Sequence, residues 1–125
     1  PQEISGVLAL APFLGDGALL EEIRAAGGLA TWSGPQKAAL SSETYQRELW
    51  RWLQGVTAGK EPGPNLYLGW GTEDRLGPAA SLLAAALPKD HVIPVPGGHK
   101  WVAWKSILEA FLVDSDFTRQ CAPAR

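Results

Sequence analysis

The sequence predicts an α/β fold in which parallel strands are flanked by helices. Three apolar runs of strand length lie at residues 6–11, 65–70 and 91–96, and each ends at or beside a Gly or Pro. The second and third runs are separated by an apolar helical stretch at residues 79–87. Strand, helix and strand therefore follow one another within about thirty residues, which is typical of a βαβ unit. Its right-handed crossover leaves the carboxyl ends of both strands at the same edge of the sheet.

A first helix and a long loop follow the first strand. Asp16 precedes an apolar and acidic stretch that ends at two glycines, which predicts a helix over residues 17–26 with Asp16 as its N-cap. Residues 27–40 are rich in Gly, Pro and Ser and predict an irregular loop.

Two further helices are predicted from apolar side chains that recur at helical period. One begins at Ser41 or Ser42, and the other follows His99. Residues 113–125 are expected to be frayed and polar. In the helix that begins at Ser41 or Ser42, the apolar stripe consists of Tyr45, Leu49, Trp52, Leu53 and Val56, and Trp50 lies off it. In the helix that follows His99, the apolar stripe consists of Trp101, Trp104, Leu108 and Phe111.

Composition indicates one soluble domain over residues 1–125. Hydrophobic residues make up 46% and charged residues 19% of the chain, which is typical of globular proteins. Eleven basic against thirteen acidic residues give a net charge of −2 without a Lys/Arg cluster, so neither nucleic acid nor a membrane surface is an expected partner. No apolar run approaches the ~20 residues of a membrane span. A cytoplasmic location is therefore predicted, and a chain that starts at Pro1 leaves export open.

Cysteine and histidine counts argue against metal and cofactor sites. Cys121 is the only cysteine, which excludes an internal disulfide, and there are only two histidines. A zinc site is not expected, and no cofactor is predicted.

Asp74 and His99 are the most informative side chains for function. Each follows the end of a strand of the predicted βαβ unit, where reactive groups collect in parallel sheets. Two glycines before His99 allow a tight turn from which the imidazole projects. We therefore expect a carboxylate oxygen of Asp74 to lie at roughly 2.6 to 3.2 Å from an imidazole nitrogen. Simpler roles also exist: Asp74 as a helix cap, and His99 as a surface histidine. His91 lacks this framing and is interpreted as structural.

The segments Gly-Trp-Gly-Thr-Glu-Asp-Arg-Leu around Asp74 and Val-Pro-Gly-Gly-His-Lys-Trp around His99 resemble the C-terminal end of the α/β-hydrolase fold. The resemblance covers roughly residues 6–112. It implies three parallel strands in chain order at the end of a larger sheet, with residues 27–63 as a cap-like insertion. It also implies that Asp74 is the acid and His99 the base of a Ser, Asp, His triad. Glu73 and Asp16 are the alternative acids.

The nucleophile of such a triad is missing from the chain. No Gly-x-Ser-x-Gly occurs in the 125 residues, and Ser33 is only a distant mimic. The resemblance therefore implies the C-terminal portion of a serine hydrolase acting on a small-molecule ester, with a nucleophile-bearing N-terminal half or a second copy as partner. It also implies that Trp32 and Trp50 line a substrate pocket, although packing in the core is equally open to them. The alternative function is a non-catalytic binding or interaction module of the same fold.

Overall fold

Three parallel strands form the centre of the protein. The structure is a computed structural model that describes residues 4–34 and 36–120. Strands β1 (Gly6–Leu10), β2 (Asn65–Gly71) and β3 (Val92–Val95) lie in the order β1-β2-β3, and both pairings are parallel. The predicted α/β arrangement is confirmed.

The strand register brings the carboxyl ends of the strands together. Leu10 lies opposite Gly69 in the first pairing, and Gly71 lies opposite Val95 in the second. Strand β1 ends one residue earlier than predicted because Ala11 takes a left-handed conformation, with φ 44°, and turns the chain. The loops after β2 and β3, which carry Asp74 and His99, therefore leave the same edge of the sheet.

Helices cover the sheet. Within the described residues they are α1 (Gly17–Ala25), α2 (Tyr45–Thr57), α3 (Gly77–Ala84), α4 (Trp101–Asp114) and α5 (Phe117–Gln120), with a 3₁₀ turn at Lys89–His91. Helix α1 starts as predicted, because the Asp16 side chain accepts a hydrogen bond from the Leu19 N–H at 3.0 Å. Helix α3 lies slightly earlier than predicted and has Pro78 in its first turn, where a missing N–H costs nothing.

The two faces of β2 pack against different helices. Leu66, Leu68 and Trp70 contact the core cluster built with α1, α2 and α3. On the other face, the Tyr67 ring packs against Phe111 of α4, at 5.1 Å between ring centroids. At Gly69 a Cβ atom would lie 2.2 Å from Ile107, so glycine lets α4 approach the strand closely. Burial on both faces explains why β2 reads as an almost continuous apolar run.

The predicted apolar stripe of α2 is not its most buried face. Trp50, which lies off that stripe, is fully buried, whereas Tyr45 on the stripe is exposed. The buried indole N–H of Trp50 is satisfied, because it donates to the Leu14 carbonyl. Other stripe residues instead line a surface groove of about 470 Å³ that includes Leu40, Tyr45, Leu49 and Trp52.

The prediction for the last helices was also wrong in its details. Helix α4 buries Ala103, Ile107 and Phe111, while Trp101 is 68% exposed. The segment expected to fray instead continues α4 to Asp114 and adds α5, whose Phe117 packs against Phe111 and Tyr67. Residues 121–125 lie outside the described part of the chain.

Within the described residues, both outer strands of the sheet, β1 and β3, leave an unpaired edge. Among the described residues, β1 pairs with a strand on one side only. Helix α4 also presents an unusually apolar outer surface, made of Trp101, Val102, Leu108, Leu112 and Val113. Over the same residues, no helix combines the length and apolar character that crossing a bilayer requires.

Candidate functional site

An aspartate and a histidine meet at the carboxyl edge of the sheet. Oδ2 of Asp74 lies 2.8 Å from Nδ1 of His99, although 25 positions separate the two residues. This distance is within the range expected for a hydrogen-bonded pair. The parallel strands bring the two side chains together because each residue follows a strand that ends at this edge.

Asp74 is held from several sides. Its side chain is inaccessible to solvent, and Oδ1 accepts a hydrogen bond from the Leu76 N–H at 2.9 Å, just before α3. Its own backbone N–H donates to the Gly71 carbonyl at 2.9 Å. One carboxylate oxygen is thus tied to the helix start, and the other is directed at the imidazole.

His99 has a different environment, because 36% of its side chain remains accessible. In the hydrogen bond between the two residues, the Asp74 carboxylate oxygen is the acceptor, so Nδ1 of His99 carries the proton. When the ring is neutral, Nε2 is left with a lone pair. Among the described residues, Nε2 has no hydrogen-bond partner. The Trp104 indole packs edge-to-face on the imidazole, with ring centroids 4.9 Å apart and an interplanar angle of 88°. Trp104 was predicted only as a member of the apolar stripe of its helix, and nothing in its sequence context indicates this contact.

The two alternative acids have other partners. Glu73 does not bond to His99; its Oε2 accepts from the Gly97 N–H at 2.6 Å and from the Thr72 hydroxyl at 2.7 Å. These hydrogen bonds, first from Thr72 and then from Gly97, lower the pKa of Glu73. Asp16 caps α1, as predicted. Asp74 is therefore the carboxylate paired with His99.

Trp32 and Trp50 lie in the hydrophobic core instead of along an open pocket. Both side chains belong to the buried cluster under α1, α2 and α3. The Trp32 indole N–H donates to Glu22 at 3.0 Å, and that of Trp50 donates to the Leu14 carbonyl. Since Trp50 is fully buried, it has no surface to offer a substrate in this arrangement. Four residues of the predicted cap-like segment thus pack into the same core as the sheet: Leu29, Trp32, Trp50 and Leu53.

No nucleophile completes the pair within the described residues. No serine there is hydrogen bonded to His99, and Ser33 is an exposed residue beside Trp32. Cys121 lies outside the described residues.

A second group of polar side chains could in principle hold a cation. Three potential ligand atoms lie within 4.8 Å of one another, one each from Asp90, His91 and Asp116. Asp116 Oδ1 already accepts from the Tyr67 hydroxyl at 2.6 Å, and His91 Nδ1 lies 2.9 Å from the Leu66 carbonyl oxygen. This group stands at the amino edge of the sheet, opposite the Asp74 and His99 pair, and we assign no metal to it.

The fold and the pair define an α/β protein with an Asp–His hydrogen bond at the carboxyl edge of a parallel sheet. Comparisons with protein-family models, with curated proteins and with solved structures find no match for the chain. Any function must therefore be argued from the geometry of the site and from the sequence resemblance.

Proposed function

We propose that this chain is the C-terminal portion of a serine hydrolase of the α/β-hydrolase type that acts on carboxylic esters. The single observation that carries the proposal is the 2.8 Å contact between buried Asp74 and accessible His99 at the carboxyl edge of the sheet. Sequence motifs around both residues resemble the acid and histidine segments of that fold. The ester class of substrate rests on this resemblance.

The geometry supports a defined role for each residue. Asp74 accepts a hydrogen bond from the Nδ1–H of His99, which holds the imidazole in the tautomer whose Nε2 is a base. Nε2 would take the proton of an attacking serine hydroxyl and return it to the leaving alcohol. During that step the imidazole becomes a cation, and the adjacent carboxylate stabilises it. Because the Asp74 side chain is shielded from solvent, its attraction for the cation is screened less than on an open surface.

The nucleophile is proposed to come from a polypeptide segment outside these 125 residues. Two surfaces support such a partner: the open edge of β1 and the apolar outer side of α4. Trp101 and Val102 begin that helix only two and three residues after His99. A partner that covers them would lie beside the imidazole, where a serine has to approach, and would remove an exposed apolar surface from water.

The test is to label the complete natural protein or complex that contains this chain with a fluorophosphonate probe, which reacts with activated serines. We expect one labelled serine outside residues 1–125 and hydrolysis of p-nitrophenyl esters. His99→Ala should abolish both, and His91→Ala, as the matched control, should preserve both. The 125-residue chain alone should hydrolyse the ester no faster than buffer.

Two outcomes would contradict the proposal. Absence of labelling in a complete protein whose Asp74 to His99 hydrogen bond is intact would favour the binding-module alternative. Turnover by the isolated chain that disappears in His99→Ala would mean that the nucleophile lies within these residues.

A further inference from the structure

Glu73 joins the loop that carries Asp74 to the loop that carries His99. Its carboxylate Oε2 accepts a hydrogen bond from the Gly97 N–H at 2.6 Å, and its backbone N–H donates to the Gly97 carbonyl at 3.0 Å. The two bonds form a reciprocal pair between one residue of each loop. Glu73 directly precedes Asp74, and Gly97 stands two residues before His99.

The backbone around this pair leaves little room for movement. The Thr72 N–H donates to the Val95 carbonyl at 2.8 Å, which extends the contact between the strands beyond their ends. A Cβ atom at Gly71 would lie 2.1 Å from the Gly97 carbonyl oxygen, so the two loops touch along their backbones. Gly97 has φ +122°, a conformation that side chains disfavour. The parallel ladder itself supplies no acceptor for the Gly97 N–H, and the Glu73 carboxylate supplies one.

We propose that Glu73 is a positioning residue that holds the His99 loop against the Asp74 loop and thereby maintains the Asp74 to His99 hydrogen bond. The Thr72 hydroxyl donates to the same Oε2 at 2.7 Å, which restrains the Glu73 rotamer. The consequence for catalysis rests on the proposed function. The effect on the hydrogen bond does not, and it can be measured in the 125-residue chain.

The downfield NMR resonance of the His99 Nδ1 proton reports on the contact. Asp74→Asn, which replaces the accepting carboxylate, assigns the resonance by removing it. Glu73→Ala should make this proton exchange with water about tenfold faster, or broaden its signal beyond detection, because a bond of ordinary strength is lost from the loop. Glu73→Gln should restore slow exchange, since its amide oxygen can still accept from the Gly97 N–H. Glu109→Ala, at an exposed site on α4, should leave the resonance unchanged.

Wild-type exchange in a folded Glu73→Ala chain would overturn the proposal. If that variant does not fold, Glu73→Asp serves as the second test, because a side chain shorter by one methylene group should weaken the hydrogen bond to the Gly97 N–H. Wild-type exchange in that variant would equally refute the role. If the complete protein is a hydrolase, Glu73→Ala should lower kcat by about tenfold to a hundredfold with little change in KM, as expected for misplacement of a catalytic group. The NMR result does not depend on hydrolase activity. Failure of the proposed function and failure of the positioning role of Glu73 can therefore be distinguished.

Discussion

Two histidine and aspartate pairs occupy opposite edges of the same sheet, and they differ in which partner is buried. At the carboxyl edge, the Asp74 side chain is inaccessible and His99 is 36% accessible, with 2.8 Å between them. At the amino edge, the His91 side chain is 14% accessible and Asp116 is 31% accessible, with 3.9 Å between Nε2 and Oδ1. The aspartate is thus the more buried partner at the carboxyl edge, and the histidine is the more buried partner at the amino edge.

The hydrogen-bond partners of the ring nitrogens show how the two histidines differ. In His99, Nδ1 faces the carboxylate and Nε2 has no hydrogen-bond partner in the described part of the chain. In His91, Nδ1 lies 2.9 Å from the Leu66 carbonyl oxygen, and the ring stacks on Tyr67 with 4.2 Å between centroids. One imidazole can reach a reacting group, while the other links β2 to the segment before β3. Pairing of His with Asp is therefore common to both edges, and the proposed role in catalysis rests on the accessible second nitrogen of His99.

The largest expected difference between the two edges concerns the aspartates. Under the proposed hydrolase function, Asp74→Asn should reduce ester hydrolysis by the complete protein by about 10⁴-fold, because an amide nitrogen facing Nδ1 favours the wrong imidazole tautomer. The fold should survive, since the Asn oxygen can still accept from the Leu76 N–H. Asp116→Asn should leave turnover within about twofold of wild type. Steady-state kinetics on both variants measures the contrast, and equal losses would mean that the two edges are not functionally distinct.

A smaller effect on stability is expected at the amino edge. Tyr67 is almost completely buried, and its hydroxyl donates to Asp116 Oδ1 at 2.6 Å. Tyr67→Phe removes that donor and should lower the thermal unfolding midpoint by about 4 °C. The His99 Nδ1 proton resonance should not change. Tyr45→Phe, at an exposed hydroxyl on α2, is the matched control and should unfold at the wild-type temperature. An unchanged midpoint in Tyr67→Phe would show that the hydrogen bond between Tyr67 and Asp116 adds no stability.

The smallest expected effect is a dependence of that stability on pH. The hydrogen bond from Tyr67 is the main cause that lowers the pKa of Asp116 below its ordinary value of 3.8. The unfolded chain therefore binds more protons than the folded one near that pH, and stability rises with pH there. The contribution is present above the ordinary pKa and is lost as the pH falls through the lowered folded value. Urea unfolding at about pH 6 and about pH 3 should show a smaller gap between wild type and Tyr67→Phe at the lower pH. A gap that widens in acid would contradict this assignment.

Several features could be predicted from local sequence because the responsible forces act locally. Asp16 caps α1 through its own side chain, and the apolar runs form β1, β2 and β3. The contact between Asp74 and His99 was predictable from topology, since a right-handed βαβ unit brings the ends of its strands to one edge. Their roles in hydrolysis stay predictions.

The faces of the helices were less predictable, because helical period alone does not say where the neighbours lie. Trp101 belongs to the apolar stripe predicted for α4, yet it is exposed. Trp50 lies off the stripe predicted for α2, yet it is fully buried in the core cluster, and its indole N–H donates to the Leu14 carbonyl. Both outcomes depend on the placement of other elements, which a window of one helix does not contain.

By itself, the sequence determined the class of fold, the order of the three strands and of helices α1 to α4, and the edge at which an aspartate and a histidine meet. The sequence favoured Asp74 over its neighbour Glu73 as the partner of His99, but only the tertiary structure shows what each of these two carboxylates contacts. Successive residues after a strand point in different directions, so one carboxylate reaches the His99 imidazole and the other reaches the Gly97 backbone N–H. The direction of each side chain depends on the torsion angles of the loop, and the group that it contacts is defined only when both loops are in place.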